Sequence, residues 1–413
     1  MTHFKRYENG LKLVVTEMAE MLSVSAGIIV GTGSCNEDEK NNGISHFIEH
    51  VTFKGTDKMN AFELSSSFDE IGSQVNAFTS KEMTCYYVKS TVAALKRSFE
   101  LLSDMFLNST YKAEELEKEK GVVKEEINMS ADTPEEVCLD NLSEAYFGEK
   151  GLGRTILGPA KNVSAFGKSD IEEYRKKYYN SDNVVLSFAG KITMAEAEAL
   201  VDEYFAPFVS DGKSVVKSDE SGINVGKIIK KDKDIEQTHI GLAFEGVKFD
   251  GEYSDESALL NVVTGSGMSS RLFQKVREEL GLCYTVYSFN SGYKSQGTLA
   301  VYAGVNPDNA DKAADAIFEV LRDIKNGGIT DKEFERGKAQ ILSSFSFAQE
   351  STSSQMMLYG KYLLFTGKVL DLREKIKKIE TLDETAVNKY LRTVDFGKFS
   401  ASVYGKNAKK VNI

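Results

Sequence analysis

Two periods run through the hydrophobic and polar positions of this chain, and they mark out strands and helices. Val24, Ala26, Ile28 and Val30 recur at every second residue, as expected of a strand with one buried face. The stretches Val185–Lys191 and Ser400–Lys406 alternate in the same way and each closes on Gly-Lys, so they read as equivalent strands. Leu95, Phe99, Leu102 and Phe106 instead fall at helical spacing, as do Ala313, Ile317, Val320 and Ile324. Two further pairs keep the same order. Ser66–Gly72 matches Phe273–Gly281, each leading into a strand-like run, and Glu115–Lys120 matches Glu333–Lys338, each opening a long helix. The chain is therefore read as an internal repeat. Between the halves, Ser210–Ser214 and Lys217–Gly222 are polar, glycine-bearing and without period, which reads as a linker. These patterns predict an α+β class: two homologous domains, 1–208 and 224–413, each an antiparallel-rich sheet flanked by helices, joined across 209–223.

A length of 413 residues suits two domains, each able to bury its own core. Hydrophobic residues at 41% and charged residues at 27% fit a globular protein and fit disordered, fibrous or membrane classes poorly. No apolar run approaches the roughly 20 residues that span a bilayer, and Met1–Gly10 lacks the apolar stretch of a signal peptide, so a cytoplasmic protein is expected. Cys35, Cys85, Cys138 and Cys283 are scattered, without metal-type spacing, which fits reduced thiols assigned to packing. A net charge of −11 argues against nucleic acid or an anionic membrane as partner.

The chemistry concentrates in Gly43-Ile44-Ser45-His46-Phe47-Ile48-Glu49-His50-Val51, which holds two of the four histidines. On a helix, residues four apart share a face, so His46 and His50 can grip one metal ion. Imidazole suits zinc, and Glu49 beside that face can take a proton from an attacking water. The order H-x-x-E-H is the inverted zincin signature. The bland alternative is an amphipathic helix whose histidines are merely satisfied near a surface. A catalytic zinc takes three protein ligands, so a third group is needed. Glu114–Ile127 is a helical run dense in carboxylates, any of which could serve. Glu119 and Glu126 lie two turns apart and can face the same neighbour, whereas Glu125 points about 100° further round. The repeat is asymmetric here. Around Glu256–Val262 the second half has no histidine, its only one being His239 on an earlier strand-like stretch, and opposite Glu119 and Glu126 it has Gly337 and Ser344.

The stretch His46–Thr56 resembles the pitrilysin/insulinase family of zinc metallopeptidases, in particular its mitochondrial-processing-peptidase-like two-domain branch. The resemblance covers nearly the whole chain. In that family the third ligand follows the second histidine by about 76 residues, which selects Glu126, and Glu119 matches a supporting glutamate. Asn76, Ala77, Phe78 and Thr79 look like the exposed edge strand that pairs with substrate backbone. Ser270–Arg277 through Gly281–Tyr284 looks like the block supplying an arginine and a tyrosine, here Arg277 and Tyr284. The resemblance implies a zinc endopeptidase with Glu49 as general base, Tyr284 as oxyanion donor and Arg277 as substrate anchor. It also implies peptide substrates and a clamshell homodimer enclosing a chamber, with each active site completed in trans. The rival expectations are one subunit of a heterodimer, or a non-enzymatic relative of respiratory core subunits.

Overall fold

The computed structural model describes residues 1–205, 208, 222–223 and 226–413, so most of the expected linker 209–223 lies outside the described residues. The described residues form two compact units, each assembled from three separate stretches. The first takes its residues from Met1–Ile127, Thr155–Asp219 and Phe347–Leu370; the second from Asn128–Arg154, Glu220–Ser346 and Asp371–Ile413.

Six strands make the first sheet: β1 (Thr2–Arg6), β2 (Lys12–Glu17), β3 (Ser23–Val30), β4 (Gln74–Thr79), β5 (Thr84–Thr91) and β6 (Val184–Gly190). Their spatial order is β1-β2-β6-β3-β5-β4, antiparallel except for β2 beside β6. The second sheet contains β7 (Ile228–Asp232), β8 (Thr238–Gly246), β9 (Cys283–Gly292), β10 (Gly297–Val305) and β11 (Phe399–Gly405), in the order β7-β11-β8-β10-β9. Strand for strand this repeats the first sheet without β1, down to the single parallel pair, β7 beside β11. The helices repeat as well. Ala113–Ala131 and Asp331–Gln349 each have 19 residues, and the alignment that sets Glu119 against Gly337 superposes their ends.

The contents of the units depart from a division into sequential halves at two helices. Pro134–Phe147, from the first half of the chain, packs on β8 and β11 of the second unit, and Thr352–Thr366, from the second half, packs on β2, β3 and β6 of the first. This exchange corrects the expectation of a half-buried strand. Every residue of β3 from Val24 to Val30 is buried, as is all of β6, because Thr352–Thr366 covers a second face of the sheet. Contact there is close. A Cβ on Gly360 would stand 2.3 Å from Ile29 Cδ1 and 2.9 Å from Ser187 Cβ, so only glycine lets the helix sit this near the strands. The other side of the first core is filled by Phe47, Ile48 and Val51 and by Phe99, Leu102 and Phe106, the last three on the helix Leu95–Asn108 that the periodicity anticipates. Among the described residues no helix is long and apolar enough to cross a membrane.

Candidate metal centre and the strand beside it

The helix Ile44–Thr52 carries the H-x-x-E-H residues, and burying Phe47, Ile48 and Val51 turns His46 and His50 together toward one side. The long helix Ala113–Ala131 runs past them on the buried stripe Leu116, Glu119, Lys120 and Val123. Glu126 therefore arrives two turns beyond Glu119 on the same side. His46, His50 and Glu126 each offer a ligand atom within 4.8 Å of the others, and this is the one such cluster of histidine, cysteine and carboxylate groups among the described residues. Glu126 Oε2 is 3.3 Å from His50 Nε2 and 3.6 Å from His46 Nε2. Ligands about 2.0–2.1 Å from a tetrahedral metal stand about 3.3–3.4 Å apart, so the spacing of this donor set fits a metal such as zinc. Glu125 is exposed.

Protonation favours ligation at His46, whereas at His50 a metal has to displace a more tightly held proton. Burial, reinforced by the neighbouring His50, pushes His46 down to about 3, which leaves its imidazole neutral. Burial acts on His50 in the same sense but is outweighed there by the hydrogen bond it donates to Glu119 and the charges of Glu126 and Glu49, so its pKa is raised. His50 Nδ1 lies 2.9 Å from Glu119 Oε1, which leaves Nε2 as the ligand atom. Glu119 is in turn held by Lys54, whose Nζ stands 2.7 Å from Oε2. Burial opposes the charge on Glu119, yet the bonds from His50 and Lys54 win and lower its pKa. The sequence reading had no role for Lys54. The helix ends at Thr52, so Lys54 reaches Glu119 from the turn that follows it, where helical spacing gives no signal.

Glu49 stands beside the cluster without joining it. Burial raises its pKa, partly offset by Thr79, whose hydroxyl donates to Glu49 Oε2 at 2.5 Å. Thr79 ends β4, which pairs with β5 on one side and with no described strand on the other, so Asn76, Ala77, Phe78 and Thr79 do occupy a sheet edge. The contact between Thr79 and Glu49 ties that edge to the carboxylate.

Arg277 and Tyr284 belong to the second unit. Arg277 leaves the helix Phe273–Glu279 with its guanidinium 4.6 Å from the Phe273 ring and 4.8 Å from the Tyr284 ring, and Tyr284 is 76% exposed. The expected pair is thus together, stacked rather than hydrogen-bonded.

Comparison with known proteins agrees with this geometry. A family model described as Insulinase (Peptidase family M16) matches residues 13–160, and one described as Peptidase M16 inactive domain matches residues 165–341. The uncharacterized zinc protease YmxG of Bacillus subtilis (strain 168) is 40% identical over 386 residues, covering 93% of this chain and 94% of the relative. The chain belongs to the insulinase family, peptidase family M16. An uncharacterized zinc protease of Mycobacterium bovis is 31% identical over 404 residues, 97% of this M16 chain and 92% of the relative. Two solved structures share the fold over 98% of the chain. They are a peptidase M16 inactive domain from Pseudomonas fluorescens (TM-score 0.91, 18% identity, 98% of that chain) and a protease from Helicobacter pylori (TM-score 0.91, 21% identity, 99% of that chain). The segment matched by the model named inactive begins beyond Glu126, the last member of the cluster, and contains Gly337.

Proposed function

We propose that this M16 chain is a zinc-dependent endopeptidase that cleaves peptides or unfolded segments in the cytoplasm, working as a homodimer whose chains enclose a chamber. The observation that carries the reading is the spacing of His46, His50 and Glu126, with Glu49 tied to a sheet edge beside them. When bound, zinc supplies Lewis-acid activation of water and polarisation of the scissile carbonyl. Glu49 takes the proton of the attacking water and returns it to the leaving amine. Its burial suits it to the base role, because a carboxylate with a raised pKa binds that proton more strongly. Thr79 holds Oε2 and leaves Oε1 as the oxygen to take the proton.

Substrate backbone pairs along Asn76–Thr79 as an added strand, a mode that reads main chain rather than side chain and makes specificity broad. Arg277 anchors a substrate carbonyl or carboxylate, and Tyr284 donates to the developing oxyanion; both come from the partner subunit of the dimer. The exposed Tyr284 hydroxyl is available for that role.

The test is a quenched-peptide assay on zinc-loaded protein with Glu49→Gln beside wild type. Hydrolysis is lost in the variant while close to one zinc per chain is retained, since Glu49 is base and not ligand. A Glu49→Gln protein that loses its zinc, or keeps its activity, refutes the assignment.

A further inference from the structure

Two histidines must present Nε2 to the same point, but only one of them is held by its other nitrogen. His50 Nδ1 is bonded to Glu119. His46 Nδ1 is buried and has no hydrogen-bond partner among the described residues. The position of the His46 ring therefore depends on packing and on the backbone that carries it.

That backbone is the first turn of the helix Ile44–Thr52, where main-chain N–H groups lack partners within the helix. A serine, threonine, aspartate or asparagine at the N-cap is the ordinary remedy. None can stand here. The N-cap is Gly43, at φ +99°, and a Cβ on it would lie 2.5 Å from the Leu157 carbonyl oxygen. The cap comes instead from Glu37, whose side chain is almost wholly buried at 3% exposure. Its Oε2 accepts Gly43 N–H at 2.7 Å and Asn42 Nδ2–H at 2.9 Å, and its Oε1 accepts Ser45 N–H at 2.8 Å. One carboxylate thus brackets the backbone on either side of Ile44 and ends on the residue next to His46.

We propose that Glu37 is the positioning residue for His46: a cap delivered from outside the helix that fixes the first turn and with it the separation of His46 Nε2 from His50 and Glu126. The inference rests on the metal-site reading above. Glu37→Gln keeps the shape but replaces one accepting oxygen with an NH2 group facing N–H donors, which releases one prong.

Zinc titration against a competing chelator, cobalt substitution followed by visible absorption, and thermal unfolding of the metal-free protein test it together. Glu37→Gln is expected to weaken zinc binding about 10-fold or more and to change the cobalt spectrum. A core variant, Phe99→Leu, is expected to lose thermal stability while keeping both metal readouts. Asn42→Ala removes one of the three bonds and should weaken zinc in the same direction by less, which keeps the test open if Glu37→Gln does not fold. Wild-type affinity and spectrum in folded Glu37→Gln, or in Asn42→Ala if it alone folds, would overturn the proposal. A wild-type protein that binds no zinc would instead refute the metal-site reading itself.

Discussion

Replacing Glu119 by glutamine keeps the size of the side chain but removes its charge and turns one acceptor oxygen into a donor, which tests what this buried carboxylate does for His50. Glu119 faces two donors, His50 Nδ1 at 2.9 Å and Lys54 Nζ at 2.7 Å, with its side chain 5% exposed. An amide has one acceptor and one donor end, so it can satisfy only one of them. If its oxygen takes Lys54, its NH2 faces His50 Nδ1, and the imidazole proton must move to Nε2, the atom that faces Glu126. If its oxygen takes His50, the NH2 opposes the Lys54 ammonium. Either way the charge-assisted bond at His50, worth about 1.5–3 kcal/mol, becomes a neutral one worth about 0.5–1.5 kcal/mol, and in the second arrangement the Lys54 ammonium is also left unmatched. The expected loss of about 1.4–2.7 kcal/mol corresponds to a zinc dissociation constant about 10–100 times larger. Competition with a chromogenic chelator measures it, with Glu126→Gln expected to lose more and the exposed Glu125→Gln to match wild type. Adding Lys54→Met to Glu119→Gln should recover part of the loss, because the amide oxygen is then free for His50. Wild-type affinity in Glu119→Gln, or an equal loss in Glu125→Gln, would refute the reasoning.

Three further outcomes are expected. Mixing Glu49→Gln with Arg277→Ala under conditions of subunit exchange should restore about a quarter of wild-type peptidase activity, since half of the random dimers are mixed and each of those has one intact site in two; no gain despite proven exchange places Arg277 in its own chain's site or in a structural role. Gly360→Ala should lower stability by about 1–3 kcal/mol through overpacking, which exceeds the helix-propensity gain of up to about 1 kcal/mol, whereas Gly121→Ala, with open space around its new Cβ, should raise it; chemical unfolding that gives both variants the same sign contradicts the packing argument. Burial alone would raise the Glu333 pKa, but the paired bonds from Arg271 and those from Thr330 hold it at about 2 against an ordinary 4.5, so its stabilisation is full above pH 4.5 and is lost as pH falls toward 2. Unfolding of metal-free wild type and Glu333→Gln across that range should converge in acid, and a pH-independent difference would count against the pair.

The elements that build the metal cluster were legible because their chemistry and their periodicity coincide. The histidine helix buries Phe47, Ile48 and Val51 at helical spacing, and Glu119 and Glu126 lie two turns apart. The exchanged helices were not legible. Thr352–Thr366 buries Thr352, Gln355, Met356, Tyr359, Gly360 and Leu363, a stripe at helical spacing made largely of small and polar residues, so hydrophobic pattern alone does not reveal that this face docks on a sheet. Pro134–Phe147 buries Cys138, Asn141 and Ala145 beside the larger Leu142, Tyr146 and Phe147, a mixed set in which the docking face is likewise not set apart by an apolar stripe alone. What fits those faces to their sheets is shape, as at Gly360, and scattered polar contacts such as Ser25 Oγ to Thr352 Oγ1 at 2.9 Å and Ser187 Oγ to the Met356 carbonyl at 2.7 Å. Neither is visible in a pattern of apolar positions. Glu37 was missed for a related reason, since a cap supplied from six residues before Gly43 breaks the local spacing by which caps are recognised.

The exchange also sets an order of events at the ribosome. Strands β2 and β3 are made early, but one face of their sheet is sealed by Thr352–Thr366, and Ser25 meets Thr352 across 327 residues of chain. At about 5–20 residues per second, that partner emerges on the order of tens of seconds after the strands it covers. Through that interval Val24–Val30 and the later β6 offer apolar surface and backbone with no native cover on that side. The native first unit therefore closes only after Thr352–Thr366 has been made, long after the strands it covers.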